Sequence, residues 1–349
     1  VLFDFTVEWT KGSPGNASAY RALGDVLDAR GEISRSRTGG MSALAAIQRS
    51  RELATSRRDT LLGATREAWL RFKQGEFSRS RALTDSILAG LVNPSREEAD
   101  ATVGLAALTG KIARMSELTR SPYTYAAAVS NVPVAVADAA APFFTYAALG
   151  LCGDATDRLE KNLDQQLARY VAEDQQGAVT AAVKARPLSM LAPCSGAKSS
   201  LRIQAGSNRL LRPQQALANG DTASVKAMLA SLATNSRSQR PGDIALDFTY
   251  QVAWLTAAVG DTAGAVRLLD RSLGSLPSLS APSLREAAAA GAVGRAMMLR
   301  AEIAAAHGET DEKAKWASAV VDLWMTADKP LQANVRRMRS LADAGVSRK

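Results

Sequence analysis

The chain is 349 residues long, 46% apolar, 5% aromatic and 22% charged, with a formal charge of +9. That length suits two average domains or one extended array. Abundant alanine beside sparse β-branched and aromatic residues excludes a mostly-β fold, and the apolar fraction excludes a disordered chain.

In chain order, Val1 to Trp9 alternates apolar and polar residues, which fits either the tail of a truncated helical unit or a short strand. Beyond it a glycine recurs, usually followed by an acidic residue: Gly31-Glu32, Gly75-Glu76, Gly153-Asp154, Gly220-Asp221, Gly260-Asp261 and Gly308-Glu309, with Gly110-Lys111 as a variant. The intervals are roughly 35 to 48 residues, apart from a longer one between Gly153 and Gly220, and this is the range of two-helix repeats. In such a unit a first helix ends, glycine takes the left-handed conformation just past it, and the acidic residue opens the next helix, where the dipole favours it.

Tyr125 to Cys152 is the most lipid-like stretch, but it holds Asp138, Pro133 and Pro142 and owes much of its apolarity to alanine. A buried helix pair is expected there rather than a membrane span. Arg186 to Ser200 carries two prolines and a Ser/Gly run. It is expected to connect an N-terminal arc, 1–185, to a C-terminal arc, 201–349. Asn235 to Asp243 reads as a second loop. Around Gly260 the run Asp247 to Val259 precedes the turn, Ala265, Leu268, Leu269 and Leu273 follow at helical spacing, and Pro277 stops the helix. Trp316, Val320, Leu323 and Trp324 share one face, and Leu331, Val335, Met338 and Leu341 mark a terminal capping helix. Each pair has an apolar face that it cannot bury alone, so an all-α superhelical solenoid of about seven antiparallel helix pairs is expected.

Specific residues carry a resemblance. Tyr20, Leu23-Gly24, Leu27 and Gly31 match the first-helix half of a tetratricopeptide (TPR) unit, and Pro14 falls where a preceding unit would close. The unit around Gly260 has Ala265 and Pro277 at the expected offsets, with Thr249 in place of the leading aromatic. Other units depart further: Ser80 and Thr84 stand where Ala and an aromatic are usual, and Thr119 to Ser200 fits worst. Over about two-thirds of its length the chain resembles this family. The run Trp316 to Leu331 is, more narrowly, similar to helical-repeat regions of large bacterial signalling proteins that follow a Ser/Thr kinase, cyclase or DNA-binding domain. The resemblance implies a non-catalytic protein- or peptide-binding segment, with any kinase activity outside it.

Chemistry-bearing motifs are few. One histidine, His307, rules out a multi-His metal site and reads as a cap at a helix C-terminus. Cys152 and Cys194 form no C-x-x-C; buried free thiols are expected, with one disulfide as the alternative. Gly104 to Lys111 has one residue too many for a phosphate loop and Ile112 where Ser or Thr would bind Mg²⁺, so it reads as helix. Ser195 to Lys198 fits S-x-x-K without its companion motifs, and Glu97-Glu98 and Asp311-Glu312 read as helix-start carboxylates. No cofactor, metal or catalytic set is expected.

If the repeat register holds, Arg21, Asp25, Trp69, Phe72, Gln214, Tyr250, Trp254, Arg295 and Glu302 face an inner groove, although core is the alternative for each aromatic. Grooves of this fold commonly take extended or helical peptides, anchored by aromatic and Arg side chains. A protein or peptide partner is therefore expected. The alternatives are a small-ligand sensor or enzyme with a pocket between the arcs, and nucleic-acid binding through the basic surface. Clusters such as Arg57-Arg58 and Arg336-Arg337 lack aromatics for base stacking, which disfavours the last. A cytoplasmic setting is expected, with an extracytoplasmic one if the parent protein is a membrane kinase.

Overall fold

The computed structural model describes residues 1–37, 39–120, 132–193, 209–236, 246–279 and 284–344. Among these the chain is all-helical, without a strand. Seventeen α-helices follow one another: α1 (Leu2–Gly12), α2 (Ala17–Ala29), α3 (Ala43–Glu52), α4 (Arg57–Lys73), α5 (Phe77–Gly90), α6 (Arg96–Leu108), α7 (Ile112–Arg120), α8 (Val134–Ala148), α9 (Asp154–Tyr170), α10 (Glu173–Leu191), α11 (Leu211–Ala218), α12 (Thr222–Ser236), α13 (Leu246–Ala258), α14 (Thr262–Gly274), α15 (Ala287–His307), α16 (Thr310–Trp324) and α17 (Gln332–Asp343). Among the described residues no helix is long and apolar enough to cross a membrane.

One turn shape recurs through the chain. Gly31, Gly75, Gly110, Gly150, Gly220, Gly260 and Gly308 all have positive φ. After each, the next residue's N–H donates to the carbonyl five positions back, as from Glu76 to Arg71 (2.9 Å), Asp221 to Ala216 (2.8 Å) and Asp261 to Thr256 (3.1 Å). This is the Schellman closure, which satisfies carbonyls left over at a helix end and needs a residue without a Cβ penalty at the left-handed position.

Two turns differ from expectation. In the fourth, Gly150 is the left-handed residue, while Gly153 is the N-cap of α9. After Gly31, Glu32 opens no helix. Its carboxylate accepts from the Arg37 N–H (3.0 Å) and from Arg30 Nε (2.8 Å), tying a loop that runs on to α3. The Arg37 N–H and Arg30 hold that carboxyl below its ordinary value.

The acidic partners divide by role. Asp221 accepts from the Ser224 N–H and Asp261 from the Gly264 N–H, so both cap their helices directly. Glu76 and Glu309 make no such cap; they pair with Arg71 and Arg300 instead.

The N-terminal stretch is helical, not a strand. Phe3 and Val7, four residues apart, pack against the cluster of Leu23, Leu27, Ile33, Ala43, Ala46, Ile47 and Leu70, while Phe5 stays exposed. Arg186, expected to begin a connection, lies inside α10, which continues through Pro187 to Leu191. Residues 194–200 of that connection, the first helix expected in 125–152 up to residue 131, and the loop at 237–243 lie outside the described residues. Cys152 is exposed and disulfide-bonded, not a buried free thiol; Cys194 lies outside the described residues.

Sequential neighbours pack along most of the chain, among them α2 on α3, α4 on α5, α8 on α9 and α13 on α14. The C-terminal helices add contacts of very long range. α15 packs on α6, α8 and α13 as well as on α16, and α16 also meets α5. One core cluster consequently runs from Leu61 to Met338. Small residues permit the approach. A Cβ on Gly104 would lie 2.5 Å from the Leu284 carbonyl oxygen, one on Gly291 2.9 Å from that of Ala148, and one on Gly294 2.4 Å from the Trp324 ring. Trp324, fully buried, donates its Nε1–H to the Leu108 carbonyl (2.9 Å). Lys111 Nζ donates to the Thr326 carbonyl (2.6 Å), and the Asp328 N–H to that of Gly110 (3.1 Å).

Gly260 isolates the backbone cost of these turns, because an added Cβ there meets nothing within 4 Å. Gly260→Val is expected to lose about 1–3 kcal/mol from left-handed strain alone. Urea denaturation checks this, and an unchanged midpoint would refute the turn assignment.

Candidate functional site

A strongly charged concavity lies where α2, α4 and α6 meet. It encloses about 490 Å³, lined by Arg21 of α2, Leu62 and Arg66 of α4, Arg96, Glu97, Asp100 and Ala101 of α6, and Arg285 just before α15. A second hollow of about 450 Å³ sits at the start of α2, with Asp59 in its lining.

Ion pairs across helices build the walls. Arg66 reaches from α4 to α2 and grips Asp25 with both Nε (2.7 Å) and Nη2 (3.3 Å). Arg21 returns from α2 to α4, donating to Asp59 (2.9 Å) and also to Ser18 Oγ (3.0 Å). Ser56 and Arg21 together hold the Asp59 carboxyl below its ordinary value. Outside the rim, Arg58 forks onto Glu97 at 2.7 and 2.9 Å and lowers its pKa in the same way. Arg96 lies 3.7 Å from Asp100, one helical turn on. Planar guanidinium forks fix geometry as well as charge, so α2, α4 and α6 are held in register by opposed Arg and Asp or Glu side chains.

Arg285 differs from the other three arginines of this hollow. Among the described residues it has no hydrogen-bond or ion-pair partner, and its Nε is buried without an acceptor. Burial, and then the nearby charge of Arg66, pull its guanidinium below its ordinary pKa, with Asp25 opposing. Arg66 Nη1 is likewise buried without an acceptor. Backbone packing explains how Arg285 arrives: residues 284–285 lie directly on Gly104 of α6, where any side chain would strike their carbonyls.

The chain matches no protein-family model and no curated protein.

The nine residues expected on one groove are not brought together. Only Arg21 lines the concavity, with Asp25 in its wall. Trp69 and Phe72 are each 1% exposed and meet edge to face inside the main core, so neither offers a surface to a ligand. Gln214 is fully buried and donates to the Ser189 carbonyl (2.9 Å) and to Gln251 (3.2 Å). Arg295 is buried too, donating to the carbonyls of Ala147 (3.1 Å) and Met190 (2.6 Å) at the ends of α8 and α10. Its guanidinium lies 4.4 Å over the Tyr250 ring, which closes off that tyrosine. Trp254 packs against a separate cluster around Leu210, Val225 and Leu255. Glu302 pairs with Arg337 of α17, and its own burial raises its pKa.

Sequence reasoning missed Arg66, Arg96 and Arg285. Asp25 and Arg66 are opposite charges on different helices, and nothing local joins them. Arg285 has no pattern around it. The one signal was Gly104, a glycine inside a helix, which marks close backbone approach.

That approach generates a prediction. Gly104→Ala is expected to cost about 1–3 kcal/mol, because the new methyl must displace a backbone carbonyl. Chemical denaturation measures it, and a neutral result would mean that residues 284–285 do not rest on α6.

Proposed function

We propose that the chain is a non-catalytic binding module, a solenoid of tetratricopeptide-like helix pairs within a larger bacterial regulatory protein. Its last pairs pack back against the middle of the chain. In this reading it receives a segment of a protein partner in the concavity between α2, α4 and α6. The observation that carries the reading is the composition of that hollow: four arginines and two carboxylates converge from three helices and the strap before α15. Charged side chains held in fixed geometry supply orientation and partner choice, more than raw affinity. Neighbouring apolar side chains such as Leu62 add contact area at its floor.

The tetratricopeptide resemblance supports the same class of function, through the match at Tyr20, Leu23-Gly24, Leu27 and Gly31. The groove is smaller than the resemblance implies and lies on the N-terminal helices, because the aromatics expected to anchor a peptide are spent on the core. The disulfide at exposed Cys152 favours an extracytoplasmic setting, since such bonds persist in oxidising compartments.

A charge swap tests the reading without disturbing the core. Arg96 and Asp100 are about half exposed and one turn apart, so Arg96→Asp with Asp100→Arg keeps a pair while inverting the rim. Peptides captured from a random array by the wild-type chain are expected to bind the swapped variant about tenfold more weakly, with thermal stability unchanged. Equal affinity for both proteins would remove this hollow as the binding surface.

A further inference from the structure

We infer that the concavity between α2, α4 and α6 is a receptor for a single oxyanionic group, a carboxylate or a phosphate, taken up by Arg285 and Arg66. The inference rests on the reading of this hollow as a binding surface and names the chemistry of what enters.

Charge pairing comes first. Arg21 faces Asp59, Arg66 faces Asp25 and Arg96 faces Asp100, at 2.9, 2.7 and 3.7 Å. Arg285 lines the same wall and, among the described residues, has no carboxylate within ion-pair distance. A partly buried guanidinium without a counter-charge is costly to keep. Here the cost is visible in the direction of its pKa, lowered by burial and by Arg66.

Unmet hydrogen bonding points the same way. Arg285 Nε and Arg66 Nη1 are buried donors with no acceptor, in two guanidinium groups that line one cavity. An oxyanion entering the cavity supplies the counter-charge that Arg285 lacks. Planar forks suit carboxylate and phosphate oxygens. The space, about 490 Å³, admits such a group together with the residue that carries it.

The carboxylates of the lining set an upper limit on charge. Glu97, engaged by Arg58, and Asp100, beside Arg96, both place carboxylates at the rim. A group with one or two negative charges gains from Arg285, whereas a polyanion meets repulsion. Nucleic acid is therefore a poor occupant of this site despite the net charge of +9.

Isothermal titration of the full chain with inorganic phosphate, with acetate and with an uncharged-ended peptide bearing one glutamate tests the inference. Arg285→Gln is expected to weaken binding of the oxyanion by about tenfold or more, the loss of a charge-assisted hydrogen bond. Because Arg285 has no partner to lose, its melting temperature is expected to hold or rise. Arg79→Gln, an exposed change on α5, serves as the control and leaves binding intact. Arg66→Lys keeps the charge but not the fork, and is expected to weaken binding less than Arg285→Gln does.

Tighter binding of the glutamate peptide than of acetate identifies a protein segment as the source. Binding of phosphate or acetate without any gain from the peptide keeps the oxyanion site and removes the protein-segment reading. Equal affinity of wild type and Arg285→Gln for every probe overturns the site, as does failure of the wild type to bind any of them. If uncharged array peptides still bind the hollow in that case, the binding-module reading survives alone.

Discussion

The whole arrangement depends on a seam of missing side chains. Gly104 on α6, and Gly291 and Gly294 on α15, let helices meet at distances where a single Cβ would strike a carbonyl or a tryptophan ring. Interiors pack as densely as organic crystals, so the absence of three methyls decides which surfaces meet. Trp324 then fills the join and satisfies its indole N–H on the Leu108 carbonyl, 216 residues away in sequence. A stack in which every pair touches only its neighbours has no such bond. The alanine run that begins α15 belongs to the same logic, presenting a thin helix to α6, α8 and α13 together.

Electrostatics follow from that packing. Residues 284–285 are pressed onto α6, which carries Arg285 to a wall already built from paired arginines of α2, α4 and α6. Most fully buried charges elsewhere are answered. Arg300 pairs with Asp270 and Glu309, Lys184 with Glu160 and Asp164, and Lys73 with Asp28, whose pKa burial raises. Arg295 is answered by two helix-end carbonyls. Arg285 and, on α5, Arg81 differ from these in carrying buried guanidinium nitrogens without an acceptor.

Local features were legible and distant ones were not. The turn glycines could be read because a left-handed residue after a helix imposes a chemical demand on one position, and among the described residues it is met seven times. Gly153 misled because two glycines three residues apart share that turn, one ending α8 and one opening α9. The first nine residues stayed open between a helix and a strand because Phe3 and Val7 serve both a two-residue and a four-residue period, and the helix is what forms. Groove residues failed for a different reason. Register places a side chain on a helix face, but whether that face meets solvent depended on which helices pack over it: α5 and α6 over α4, and α6, α8 and α13 over α15. Trp69, Phe72 and Arg295 are therefore interior, and Arg66 and Arg285 came to line the hollow without any local mark.

Amide hydrogen exchange in a Trp324→Ala variant tests the seam most directly. The account predicts faster exchange across α6 at residues 105–111, as well as in α15 and α16, since the Leu108 carbonyl loses its donor and the helix its neighbour. Protection of α6 unchanged from the wild type, with the loss confined to α15–α17, would contradict it.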